Sequence, residues 1–122
     1  MKKKKTTLST KKENTLIVTA GRKPEENHGI LNPPVYHAST ISFSTLEDYQ
    51  KKDNDPYALQ YGRSGTPTTF AFEESVTALH HGFASVALPS GAAAIACGMT
   101  TFLEKGDHVL VADTVYGPTR QR

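Results

Sequence analysis

The chain has 122 residues, 37% of them hydrophobic and 21% charged, which allows one small domain and excludes a wholly disordered class. Its formal charge of +2 is unevenly placed: residues 1–12 hold six lysines and no acid, leaving 8 Lys or Arg against 12 Asp or Glu beyond them. A lone Cys97 excludes an internal disulfide, and no apolar run approaches the roughly 20 residues of a membrane-spanning helix.

The opening "MKKKKTTLSTKK" is polar and low in complexity, so residues 1–12 are expected to form a disordered basic tail. Nucleic-acid binding by such a run is disfavoured, because no aromatic residues interleave the lysines and the body is acidic. The apolar "LIVTAG" that follows is too short for the core of a signal peptide, and a cytoplasmic location is expected. "ENTLIVTAG" reads as a short helix ending at Gly21, and residues 22–32 as loop. In "NPPVYHASTISFST" the paired prolines block helix and the β-branched and aromatic residues favour extended backbone.

Ser44 followed three positions later by Glu47 is the signature of a capping box before a short helix. "DNDPYALQYGRSGTP" is again loop, loosened by Gly62 and Gly65. A longer helix is expected next, capped by Thr66, with Pro67 in its first position and Gly82 closing it. Phe72, Val76 and Leu79 fall on one face of it, the face expected to be buried. His80 and His81 stand in its last turn, and as adjacent helical positions they diverge too far to share a metal ion. Cys97, with no charged neighbour to activate it, reads as a small apolar filler in the helix after that.

Past Gly82 the pattern turns to α/β. "FASVAL" reads as a buried strand, Gly91 to Leu103 as a helix, Gly106-Asp107 as a turn and "HVLVAD" as a second strand. Such a βαβ unit has parallel strands and a right-handed crossover, and ligands bind beyond the carboxyl ends of its strands. There the chain places "PSGAAA". The free amides of the helix's first turn, at Ser90, Gly91 and Ala92, favour an anion such as a phosphate, and small side chains admit its oxygens. Tight helix–sheet packing explains the alanines equally well.

On the same rim, Tyr116 is held by Gly117-Pro118, where its ring can lie on a flat ligand or cap the core. Tyr61 and Arg63 stand two apart, which in extended backbone points both the same way. Together they suit a phosphate, although a surface arginine is the plainer reading.

"NPPVYHAST", "YGRSGTPTT", "PSGAAAI" and "EKGDHVLVADTVYGPT" resemble, in order and spacing, the amino-terminal part of the pyridoxal-phosphate enzymes of cysteine and methionine metabolism, from about Asn14 to the last residue. The resemblance implies an α/β protein: the start of the large domain of the aspartate-aminotransferase-like (fold type I) PLP-dependent transferase fold. Residues 13–65 would be an extended arm embracing a partner subunit, and 66–122 the beginning of the cofactor-binding domain. It implies pyridoxal 5′-phosphate held by the amides of Ser90, Gly91 and Ala92, with Tyr116 stacked on its ring and assisting proton transfer. Tyr61 and Arg63 would reach the phosphate of a neighbouring subunit's cofactor in a homo-oligomer.

The implied reaction on an amino-acid substrate is β-elimination from cystathionine, with γ-acting relatives as the alternative within the family. A non-catalytic module with a basic tail is the alternative outside it. The chemistry requires a lysine bound to the cofactor and a carboxylate at the ring nitrogen. Lys105 lies past the helix, roughly 20 Å from the phosphate seat at 1.5 Å per residue, and Lys23, Lys51 and Lys52 stand in the arm. The chain therefore reads as the opening section of a longer enzyme, inert by itself.

Overall fold

Among the residues that the computed structural model describes, 12–51 and 58–120, the regular structure is helical. The elements are α1 (Glu13–Thr19), a 3₁₀ turn (Pro24–Glu26), α2 (Leu46–Lys51), α3 (Pro67–Leu79), α4 (Gly91–Thr100) and α5 (Gly117–Arg120). The chain divides into two units, Met1–Ser85 and Val86–Arg122. The lysine run up to residue 11 lies outside the described residues. None of the described helices is long and apolar enough to cross a membrane.

In the first unit α1 packs on α3. Leu16, 8% exposed, is the one buried hydrophobic side chain among the described residues. Gly21 ends α1 as expected, in the left-handed region at φ +68, and it sits directly on α3. A Cβ there would lie 2.1 Å from the Ala71 carbonyl oxygen and 2.2 Å from Ser75 Oγ. Ser75 also donates to the Ala20 carbonyl at 3.0 Å, and Lys23 pairs with Glu74 at 3.5 Å, so the junction is fastened from both sides. The contact therefore runs through Ala71 and Ser75. Phe72, expected to be buried, is 60% exposed at the rim of an open groove of about 380 Å³ with Ile17.

The segment after Pro33 is extended, as the prolines require. Its anchor is Thr68 on α3, whose hydroxyl donates to the Pro34 carbonyl at 2.7 Å and accepts the Tyr36 amide at 2.9 Å. The cap of α2 falls one residue later than the sequence pattern indicated. Asp48 donates its amide to Thr45 Oγ1 at 3.1 Å, because Thr45, not Ser44, is the residue just before the helix.

At the end of α3 the left-handed residue is His81, φ +50, and not Gly82. Gly82 donates to the Thr77 carbonyl at 2.9 Å and His81 to that of Ala78 at 3.3 Å, the paired bonds of a Schellman motif, which places His81 where glycine is usual.

The second unit departs furthest from expectation. Residues 83–88 and 108–113 carry no strand, and the isolated bridge found among the described residues, Thr40 with Tyr61, lies in the first unit. The expected parallel pair is thus corrected to two segments that form no strand ladder. A strand's amides and carbonyls are satisfied only by neighbours, and a parallel sheet needs cover on both faces. Here the side chains that would face that cover, Val86, Phe102, Leu110 and Val111, stand exposed. Cys97 is exposed too, and not a buried filler, for the same reason. Helix α4 ends at Thr100 instead of Leu103, its last turn closed by Thr100 and Thr101 hydroxyls on the Ala96 and Cys97 carbonyls.

Candidate functional site

Ser90 caps α4. Its backbone is extended and its hydroxyl accepts the Ala93 amide at 3.1 Å, which leaves the two amides before it to be filled from elsewhere. Those of Gly91 and Ala92 have no hydrogen-bond partner among the described residues. Gly91 is exposed and a Cβ added to it would meet nothing within 4 Å, so no packing among the described residues calls for glycine there. The arrangement is that of an anion seat: two unfilled amides, a helix dipole and a hydroxyl whose proton is still free to be donated.

Tyr116 immediately precedes α5, which packs against α4 within the same unit. Its ring is 65% exposed. The local backbone is held by the Val115 amide on the Ala112 carbonyl, 3.0 Å, and the Thr119 amide on the Tyr116 carbonyl, 2.9 Å. With no strand ladder, Tyr116 and the seat share neighbouring helices in place of the sheet rim expected for them.

Tyr61 and Arg63 are brought together, but by a turn and not by extended backbone. The Ser64 amide donates to the Tyr61 carbonyl at 2.9 Å, and the Arg63 guanidinium lies 5.2 Å from the centre of the Tyr61 ring, a cation–π contact. No carboxylate of the described residues pairs with Arg63. These two belong to the first unit; Ser90, Gly91, Ala92 and Tyr116 belong to the second.

Two further features escaped the sequence pattern. Gly62 donates to the Ser39 carbonyl at 2.7 Å, and a Cβ on it would fall 1.8 Å from the Ala38 carbonyl oxygen, so the turn presenting Arg63 is pressed onto the preceding segment. Asp113 and Arg120 form an ion pair at 2.7 Å around Tyr116. A spacing of seven residues across a loop carries no helical or strand period by which that pair could be found.

Within the second unit, the unfilled start of α4 suits an anion and the exposed Tyr116 ring suits a flat ligand. The chain belongs to the family of Cys/Met metabolism PLP-dependent enzymes, matched over residues 14–122, and that family's cofactor is pyridoxal 5′-phosphate. Membership implies fold type I.

Similar curated proteins include a putative cystathionine β-lyase of Rhizobium johnstonii, 40% identical over 98% of this chain and 30% of the relative. The cystathionine β-lyase of Escherichia coli is 35% identical over 93% of this chain and 29% of its own length. An L-alanine/L-glutamate racemase of Wolbachia pipientis is 36% identical over 86% of this chain and 29% of its own. The chain thus spans about 30% of the length of these relatives.

Proposed function

We propose that this chain supplies the phosphate-binding section of a PLP-dependent carbon–sulfur lyase that cleaves cystathionine to homocysteine, pyruvate and ammonia. The single observation that carries the reading is the pair of unpartnered amides at Gly91 and Ala92 beneath the Ser90 cap, in a chain of this family. The residues present fit the cofactor's phosphate: the seat is open, Gly91 leaves room, and the dipole of a ten-residue helix favours the dianion. In this reading residues 66–122 begin the large α/β domain of fold type I. Residues 13–65 act as an arm on a partner subunit, which is where exposed Val35, Tyr36 and Leu46 would find cover.

The division of labour follows from the side chains. Gly91 and Ala92 amides and the Ser90 hydroxyl hold the phosphate. Tyr116 lays its ring against the pyridine and offers a phenol for proton transfer near the substrate's α-carbon. Tyr61 and Arg63 reach the phosphate of a neighbouring subunit's cofactor, the guanidinium being free for bidentate contact. When bound, the cofactor withdraws electrons from the substrate's α-carbon, which makes its proton removable.

The test is expression of the gene's whole product and identification of the 2-oxo acid released from cystathionine. Cleavage at the β-carbon leaves three-carbon pyruvate, whereas cleavage at the γ-carbon leaves a four-carbon acid. The relation to an L-alanine/L-glutamate racemase favours a second assay, loss of optical rotation from L-alanine, and racemisation without pyruvate would overturn the lyase reading.

A further inference from the structure

Tyr116 has to present its ring at a fixed angle to serve as a stacking surface, yet no ring contact, hydrogen bond or burial holds that side chain among the described residues. Whatever orients it acts through the backbone on either side. Turn bonds at Val115 and Thr119 span three residues each and fix the local path only. One longer tie exists. The Arg120 guanidinium, on the last residue of α5, reaches back seven residues to Asp113, where Nη2 donates to both the main-chain carbonyl and the side-chain Oδ1.

We infer that Arg120 is a positioning residue for Tyr116, closing residues 113–120 into a loop with the tyrosine at its middle; the inference rests on the cofactor reading above. The pair is exposed, and an exposed ion pair adds little to the stability of a whole protein. Its consequence is local. A planar fork can take a carbonyl and a carboxylate at once, and by fixing both ends of an eight-residue loop it removes the motion that would swing the ring. An ammonium at the same position carries three donors, but on a flexible stem with no fixed plane, so it holds the two acceptors in no set geometry. The design needs the guanidinium plane of Arg rather than a charge alone.

The experiment uses the full chain, with amide hydrogen exchange and resonance shifts followed by NMR in R120A, R120K and D113N. R120A is expected to raise exchange at Val115 and Thr119 at least fivefold while Phe70 in α3 and Ala94 in α4 stay unchanged. R120K recovers less than half of that protection, and D113N retains most of it, since the main-chain carbonyl and an amide oxygen still accept. On adding pyridoxal 5′-phosphate, the shifts at Gly91 and Ala92 persist in R120A whereas the shift of the Tyr116 ring collapses. A merely structural role would not separate these two sets of signals.

Equal exchange in R120A and the wild type overturns the inference, as does full rescue by Lys. Wild-type Val115 and Thr119 amides exchanging at unprotected rates overturn it as well. If the exchange effect is present but the cofactor moves neither Gly91 nor Tyr116 in the wild type, the cofactor reading fails and the loop clamp stands. If the cofactor moves both in R120A as in the wild type, the clamp fails and the cofactor reading stands.

Discussion

The two units are built by different means. In Met1–Ser85, elements far apart in sequence are fastened together: Gly21 and Ser75 join α1 to α3, Thr68 holds the proline segment, and Gly62 presses one loop on another. In Val86–Arg122 the helices and turns are closed by hydrogen bonds between residues near in sequence, and no described residue is buried. The first unit has tertiary structure of its own. The second has helices and the candidate site, and its apolar side chains await cover. Such a division suits a ligand seat, because amides left open by their own chain are the ones a ligand can use.

The comparison breaks most readily in hydrogen exchange. Amides in the middle of α3 are expected to exchange at least tenfold more slowly than those of α4, since α4 is ten residues long and marginal without packing. Equal protection in the two helices would show that Val86–Arg122 is stabilised as firmly as the first unit.

The glycines sharpen the same contrast. Gly21→Ala combines left-handed backbone with a collision against the Ala71 carbonyl and Ser75, and should lower the stability of the first unit by about 2–3 kcal/mol, read by denaturant unfolding. Gly91→Ala meets open space at an ordinary φ, and should leave unfolding within about 0.5 kcal/mol of the wild type. Its effect belongs to binding. A methyl group at the seat should weaken the affinity for pyridoxal 5′-phosphate about tenfold, which titration followed at the Ala92 amide would measure; ten-fold is about 1.4 kcal/mol. A Gly21 that tolerates alanine, or a Gly91 that binds as well with it, would erase the difference between a packing glycine and a ligand glycine.

What was legible in the sequence follows the same line. Helix boundaries were readable at Ser90 before Gly91, at the end of α1 at Gly21, and at Thr66 before Pro67, where the Thr66 side chain nonetheless makes no cap hydrogen bond. The unfilled amides of Gly91 and Ala92 follow from Ser90 alone, so the core of the candidate site was readable as well. Contacts between distant segments were not. Nothing in the spelling of Gly21 or Gly62 announces that Ala71 or Ala38 lies against it, and Phe72 is exposed on the helical face where Val76 is half-buried. The strands failed for another reason. "FASVAL" and "HVLVAD" have strand composition, but a strand exists only with neighbours, and composition does not supply them. Tyr61 and Arg63 lie together, but a turn and not extended backbone brings them there.

The cap of α4 tests the second unit at smaller scale. Ser90→Ala removes the acceptor of the Ala93 amide, and a lost serine cap costs about 1 kcal/mol. In a unit without a core that amount should melt a visible part of α4, so circular dichroism at 222 nm should fall while α3 amides keep their exchange rates. A loss spread evenly over both units would mean that they fold as one.

The smallest effect comes from the only change expected to stabilise. His81 holds a left-handed backbone at the end of α3 with both Schellman bonds formed, so the geometry suits glycine and the side chain is exposed. Relief of the left-handed strain is worth about 1–2 kcal/mol, and glycine returns part of it through the greater freedom of the unfolded chain. His81→Gly should therefore raise the stability of the first unit by about 0.5–1 kcal/mol, seen as a higher denaturant midpoint at unchanged slope. The same substitution should leave α4 and the Gly91 and Ala92 amides untouched, because the bonds it perfects end at Gly82, three residues before the boundary between the units. A shift in the exchange of those amides would show that the end of α3 is coupled to the seat, and the two units would then have to be treated as one cooperative structure.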